Sequence, residues 1–446
     1  MPTREMGIDR VASLEWFRRN RRRSEEIFAS LAPDAYYERP IALRNPICFY
    51  EGHLPAFGVN TLLRRGLGEP GVDPRLETLF ERGIDPEDES HVPGAAGNGW
   101  PAREEIRRYA DEADRRIAQA IAQGDIARDA NPVLAGGLAL FTILEHEPMH
   151  QETLAYMWHR LPYDKKVRPA GTPALDVGGA PPARTSVRVP AGRATLGAAP
   201  GAIPFGWDNE FPARVEDVPA FEIDVHDVTN GDYLEFVEAG GYERRDLWTP
   251  EDWAWRVEQN VSCPAFWEKQ GARWFWRGMW ERVPLPEAWP VYVSQAEASA
   301  YARWRGRRLP TEAEFQRAAY GTPEGHERRH PWGDEPPDGS RGNFDFRRAD
   351  PVPVGSFPRG ASAWGVHDLV GNGWEWTSSV FAGFPGFEPM ASYPVYSSDF
   401  FDGRHFVMKG ASPVTARELL RPTFRNWFRG NYPYVYATFR CVKGSA

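Results

Sequence analysis

The sequence predicts two folded parts of different class: an N-terminal four-helix bundle, then an α+β part of short strands, helices and long loops. Three observations carry this. Apolar residues recur at spacings of three and four through residues 1–160. The stretch that follows, LPYDKKVRPAGTPALDVGGAPPARTSV, is rich in Pro, Gly and Ala and reads as a linker. Of the 18 tryptophans only Trp16, Trp100 and Trp158 precede that linker, so the aromatic excess belongs to the second part. A chain of 446 residues exceeds one ordinary core and calls for two or three domains. The expected boundaries are 1–165 for the bundle, 166–186 for the linker and 187–446 for the remainder.

The first helix is read over Arg10–Leu31, where Val11, Leu14, Phe17, Ile27, Phe28 and Leu31 stand among charges. The second, Pro46–Leu63, is mostly apolar. The third, Ala102–Gln123, carries Ile106, Tyr109, Ala113, Ile117 and Ile121 on one stripe. Asn131-Pro132 reads as an N-cap with a first-turn proline, opening a fourth helix over Val133–His159. The 64–100 connection is long for a bundle and reads as irregular. Beyond the linker, Ala220–Val225 and Pro290–Val293 are strand-like. A helix opens at Thr311 with a capping box, TEAE, and closes at Gly321.

Composition excludes several classes. The net charge of −9 argues against a general nucleic-acid or anionic-membrane binder. Cys48, Cys263 and Cys441 lie far apart, which excludes a disulfide scaffold and a cysteine-rich zinc module. The longest apolar stretch, Leu134–Leu144, is about half of a membrane span. The first six residues lack the apolar run of a signal peptide, so a cytoplasmic location is expected.

Histidine carries the chemistry. His146 and His150 lie four apart in the expected fourth helix, LEHEPMHQETLAYM. Four residues advance a helix by about 400°, so both imidazoles leave the same face one turn apart. His53 sits in the apolar second helix, which a bundle can bring against the fourth as a third ligand. Glu152 is about 240° around the helix from His146 and points elsewhere. His326 and His330 share the spacing but stand in a Gly- and Pro-rich loop, and are read as solvated. Three neutral imidazoles leave half of an octahedron open, which suits Fe(II) with O₂ and a substrate. Zn(II) with a water is the alternative.

These motifs together resemble a known family. His53 with His146-Glu-Pro-Met-His150-Gln-Glu152 is similar to the DinB-like metal helices. Gly306-Arg-Arg-Leu-Pro-Thr-Glu-Ala-Glu-Phe315, Pro331-Trp-Gly-Asp334, Asn343-Phe-Asp345, Val370-Gly-Asn-Gly-Trp-Glu-Trp376, Phe424-Arg-Asn-Trp427 and Phe439-Arg-Cys441 are similar to formylglycine-generating-enzyme-like domains. The pair of domains resembles the ergothioneine-type sulfoxide synthases, non-haem iron enzymes that use O₂ to join a chalcogen to imidazole C2 of hercynine (Nα-trimethylhistidine). The resemblance implies a C-type-lectin-like second domain and Fe(II) on His53, His146 and His150. It also implies that Asn426 and Trp427 hold hercynine, and that Tyr393 or Tyr396 serves as the catalytic tyrosine. Copper-dependent formylglycine formation is not implied, because it needs a cysteine pair.

Two departures bear on the donor. Thiol-using relatives carry an acidic residue after Arg-Asn-Trp and a basic one four positions later, which grip γ-glutamylcysteine. Here those positions are Phe428 and Tyr432, an aromatic pair able to stack on a sugar face. The residue before the second helix histidine, often Gln, is Met149. Both features resemble the selenoneine synthase branch, whose donor is a selenosugar. The alternatives are a thiol donor met by Arg404, Arg417, Arg421 or Arg429, and a zinc-dependent thiol transferase of DinB type.

Overall fold

The structure, a computed structural model, describes residues 8–81 and 99–444. The leading residues read above for a signal peptide lie outside that range. The chain forms a helical unit and a mixed α+β unit. The helical unit comprises the chain through Ala170 together with Met390–Pro394. The mixed unit comprises Gly171–Pro389 and Val395 onward. Among the described residues no helix is long and apolar enough to cross a membrane.

In the helical unit, α1 (Arg10–Ala29) opens on Asp9, whose carboxylate accepts the Ala12 N–H. The second helix, α2 (Ile47–Gly58), is buried along its whole length. It runs on into a π-helical segment, Val59–Leu67, which Gly68 ends in the left-handed conformation at φ 73°. A short helix, α3 (Pro74–Leu79), stands in the stretch expected to be irregular. Asp73 caps it by accepting the N–H groups of Arg75 and Leu76. The next, α4 (Arg103–Gln123), buries the expected stripe of Ile106, Tyr109, Ala113, Ile117 and Ile121.

The last helix, α5 (Leu138–Arg160), begins later than the sequence suggests. Gly136 and Gly137 both adopt positive φ, 61° and 79°, and break the backbone just before it. Asn131 is therefore a turn residue: its amide donates to the Gly66 carbonyl and its oxygen accepts the Val133 N–H. Pro148 lies inside α5 without ending it, although an interior proline costs roughly 3 kcal/mol. α1 packs on α4 and α5, and α2 packs on the same two helices.

The mixed unit opens with β1 (Ser186–Val189), β2 (Gly192–Leu196), β3 (Arg214–Val218) and β4 (Phe221–Asp224). Then come α6 (Asn230–Glu238), α7 (Pro250–Glu258), and β5 (Trp267–Gln270), β6 (Arg273–Arg277) and β7 (Arg282–Pro284). Next are α8 (Gln295–Trp304) and α9 (Glu312–Tyr320). The remaining strands are β8 (Gly373–Val380), β9 (His405–Ala411), β10 (Asn426–Arg429), β11 (Ala437–Thr438) and β12 (Val442–Gly444). The central sheet has the order β10-β9-β8-β11, with β11 parallel to β8 and the other pairs antiparallel. β12 pairs with β4, so the end of the described chain closes on strands near the start of this unit. Capping boxes at Thr229, Ser294 and Thr311 start α6, α8 and α9.

The tryptophans explain how so irregular a unit holds together. Trp207, Trp276, Trp289, Trp374 and Trp376 are buried. The Trp276 indole N–H donates to Asp350, that of Trp289 to the Asp176 carbonyl, and that of Trp376 to the Val293 carbonyl. Each ring supplies a large apolar surface and one donor for a loop acceptor. Arg440, fully buried, ties the core: it pairs with Glu375 of β8 and with Asp227, and donates to the carbonyls of Asp224, Val225 and His367. Such a pair holds only while every partner is present.

Candidate metal centre

α2 presents His53, and α5 presents His146 and His150, to one point inside the helical unit. The Nε2 atoms of His53 and His146 lie 3.4 Å apart and those of His146 and His150 3.1 Å apart. Two nitrogens bound at about 2.0–2.1 Å and at right angles stand roughly 3 Å apart, so these separations suit one ion. Among the described residues this is the one group of three or more His, Cys, Asp or Glu residues close enough to share a metal. Among the described residues no carboxylate joins it. Glu147, beside His146 in sequence, turns to α1, where it accepts from Ser24 at 2.6 Å and pairs with Arg21. The donor set is thus three neutral imidazoles, which fits Fe(II) or Zn(II).

The surroundings orient each ring. The Nδ1–H of His53 donates to the Phe80 carbonyl at 2.7 Å, which leaves the Nε2 lone pair facing inward. Phe57 stacks on His146 with ring centres 3.5 Å apart and planes 9° apart. Phe49 stacks on His53, and Tyr50 tilts against His150. Sequence reasoning missed Phe80 and Phe57. A backbone acceptor leaves no residue-type signal, and Phe57 is one of many apolar residues in α2.

Tyr393 also belongs to the helical unit. Its ring meets Phe57 edge-on at 5.2 Å and lies 6.3 Å from the His146 ring. The preceding hydroxyl, Ser392, shares a hydrogen bond of 2.7 Å with Thr142, one turn before His146 on α5; both are buried. Tyr396 belongs to the mixed unit, stacked on Trp207 at 3.9 Å and edge-on to Trp427 at 5.1 Å. Of the two expected tyrosines, one is therefore beside the histidines within their own unit.

Residues 176–445 match the sulfatase-modifying factor enzyme 1-like domain, and residues 17–154 match the DinB superfamily. The hercynine oxygenase of Mycolicibacterium thermoresistibile is 36% identical over 400 residues, covering 86% of this chain and 84% of that protein. The chain belongs to the hercynine oxygenase family. The hercynine oxygenase of Mycolicibacterium smegmatis is 40% identical over 303 residues, covering 65% of this chain and 68% of its own. Ergothioneine biosynthesis protein 1 of Neurospora crassa is 30% identical and covers 93% of this chain, which spans 55% of that longer protein.

A metal takes only neutral imidazoles, and burial provides them here. Desolvation holds His53 down at about 4, below its ordinary 6.5. His146 and His150 are pushed well down by burial and by the neighbouring charges they would face. A histidine with a depressed folded value binds fewer protons folded than unfolded. Its contribution to stability is therefore whole above about pH 6.5 and is lost as pH falls toward 4. For chelator-treated protein, His53 alone accounts for a loss of about 3 kcal/mol between pH 6.5 and 4. Urea midpoints across that range should fall, and fall less steeply in His53→Gln. Equal slopes in the two proteins would refute the assignment.

Of the substrate-binding residues expected from sequence, Asn426, Trp427 and Phe428 lie on one strand of the mixed unit. Asn426 and Trp427 are the first residues of β10, which pairs with β9. Arg425 anchors its entry through two bonds to Glu312 and one each to the Asn209 and Ala382 carbonyls. Trp427 stacks on Phe381 at 4.2 Å. Phe428 instead stacks on Tyr432 at 5.2 Å. Consecutive strand residues face opposite sides, so Trp427 and Phe428 do not form one aromatic wall. Two of the arginines weighed for donor charges are already engaged: Arg417 by Asp345 and Arg421 by Glu210. Met149 is half-buried on α5 between the two helix histidines. His330, expected to be solvated, is half-buried against Trp332, whose ring stacks on it at 4.9 Å.

Proposed function

We propose that this chain is an O₂-dependent non-haem Fe(II) enzyme that joins a chalcogen donor to imidazole C2 of hercynine. The convergence of three neutral imidazoles in a chain of this family is the observation that carries the reading. The reaction consumes a donor R–SeH (or R–SH), the C2–H of hercynine and one O₂. It forms the C–Se (or C–S) bond and the chalcogen–oxygen bond, and releases water. Iron, which His53, His146 and His150 would hold, would supply O₂ activation and an open position for the soft donor chalcogen.

The chain's own residues do the rest of the work. Tyr393 holds or delivers a proton beside the histidines. Asn426 and Trp427 hold hercynine, whose quaternary ammonium suits an aromatic neighbour. Tyr396, against Trp427, belongs with that group. Met149 replaces a hydrogen-bonding side chain with a polarizable thioether.

For the donor we favour a selenosugar, on the observation that Phe428 and Tyr432 form a stacked, uncharged pair where charges would grip an amino acid. The second reading is a thiol donor such as γ-glutamylcysteine, which the names of the relatives favour. The deciding experiment incubates Fe(II)-loaded protein, hercynine and O₂ with each donor and reads the conjugate by mass spectrometry. Turnover with γ-glutamylcysteine alone refutes the selenosugar assignment. Activity with Zn(II) and no O₂ uptake refutes the oxygenase itself. The double substitution Phe428→Asp with Tyr432→Arg is expected to shift the ratio of selenosugar to thiol turnover by about tenfold or more toward the thiol. An unchanged ratio removes that pair from donor selection.

A further inference from the structure

Pro148 stands between two candidate metal ligands, and a proline has no N–H to give. In an α-helix its missing donor leaves the carbonyl four residues earlier, that of Leu144, without its usual partner. Leu144 is fully buried, so water does not replace that donor. The replacement comes from α1: Asn20, 1% exposed, donates its Nδ2 to the Leu144 carbonyl at 2.8 Å. The link is reciprocal. Gln151 on α5 donates to the Asn20 carbonyl at 2.8 Å and to Ser24 at 2.9 Å, and Ser24 donates to Glu147. α1 therefore grips α5 on both sides of Pro148. Leu144, Glu147 and Gln151 lie roughly 100–160° around the helix from His146, so the grip is behind the histidine face.

We infer that Asn20 is a positioning residue of the metal centre: it replaces the backbone donor removed by Pro148 and so sets the spacing of His146 and His150. The inference rests on the reading of His53, His146 and His150 as a metal site. It makes Asn20 and Pro148 a coupled pair. With alanine at 148 the backbone N–H returns to Leu144, and Asn20 becomes dispensable for the metal.

The test measures Co(II) affinity and the Co(II) ligand-field spectrum in the full chain for four proteins. These are the natural sequence, Asn20→Leu, Pro148→Ala and the double variant. Asn20→Leu is expected to weaken Co(II) binding by about 10–100-fold and to shift the visible band. In the Pro148→Ala background the same change is expected to cost under about threefold, well short of that loss. Equal losses in both backgrounds, or no loss in either, overturn the inference. Should Asn20→Leu alone fail to fold, the inference still demands that the double variant fold and bind Co(II); an unfolded double variant overturns it. If the natural sequence binds no Co(II) or Fe(II), the metal reading itself has failed, which is a different result.

Discussion

Replacing His150 with alanine is expected to remove Fe(II) binding and turnover together, by more than about 100-fold in each. Losing an outer partner of a metal ligand already costs 10–100-fold, and this change removes a ligand. The Nε2 of His150 stands 3.1 Å from that of His146, so its loss leaves two imidazoles and a space where the third nitrogen stood. Among the described residues no carboxylate lies close enough to join the two remaining imidazoles, and Glu147 is committed to Ser24 and Arg21. The metal-dependent rise in melting temperature should vanish as well. At a metal concentration of about a thousand times Kd that rise corresponds to about 4 kcal/mol. An Fe(II) titration read by calorimetry or by thermal melts checks both. A His150→Ala protein that binds Fe(II) as tightly as the natural sequence would exclude the three-histidine site.

Tyr393→Phe is expected to lower kcat by about 100-fold or more while leaving iron affinity unchanged, the pattern of a lost proton donor. The phenol belongs to the same compact unit as the histidines, edge-on to Phe57, which itself stacks on His146. Arg65 lies close enough for its charge to interact with the Tyr393 phenol. Tyr396→Phe should instead act on the hercynine KM, because Tyr396 abuts Trp427 rather than the histidines. Thr142→Val removes the hydroxyl that meets Ser392, and should lower kcat in the same direction as Tyr393→Phe but by less. Steady-state kinetics with hercynine varied at saturating O₂ separate the cases. An unchanged kcat in Tyr393→Phe would assign the proton to another group.

How far the sequence foretells this molecule depends on the reach of each interaction. The recurrence of apolar residues at spacings of three and four in α4 and the four-residue spacing of His146 and His150 are local, and both are legible from the string of letters. The small helix α3 carried a readable signal, Asp73 followed by Pro74, but six residues are too few for a periodic stripe. Asn131-Pro132 carried the same kind of signal and misled, because two glycines at positive φ stop a helix from forming there. Asn20 and Leu144 are 124 positions apart, and Thr142 and Ser392 are 250 apart. Pairs at that distance are joined by tertiary packing alone, and neither residue type announces its partner. In the mixed unit, the motif around Arg440 was legible as a motif. Its role as the buried cation shared by Glu375 and Asp227 became visible only once the strands were assembled.

The five residues Met390–Pro394 have a consequence for how this chain can be divided. They are numbered among the lectin-like half, yet they complete the helical one. A gene cut after Ala170 would encode every candidate metal ligand and still omit Ser392 and Tyr393. A bundle transplanted as residues up to Ala170 alone arrives without the segment that completes its compact unit.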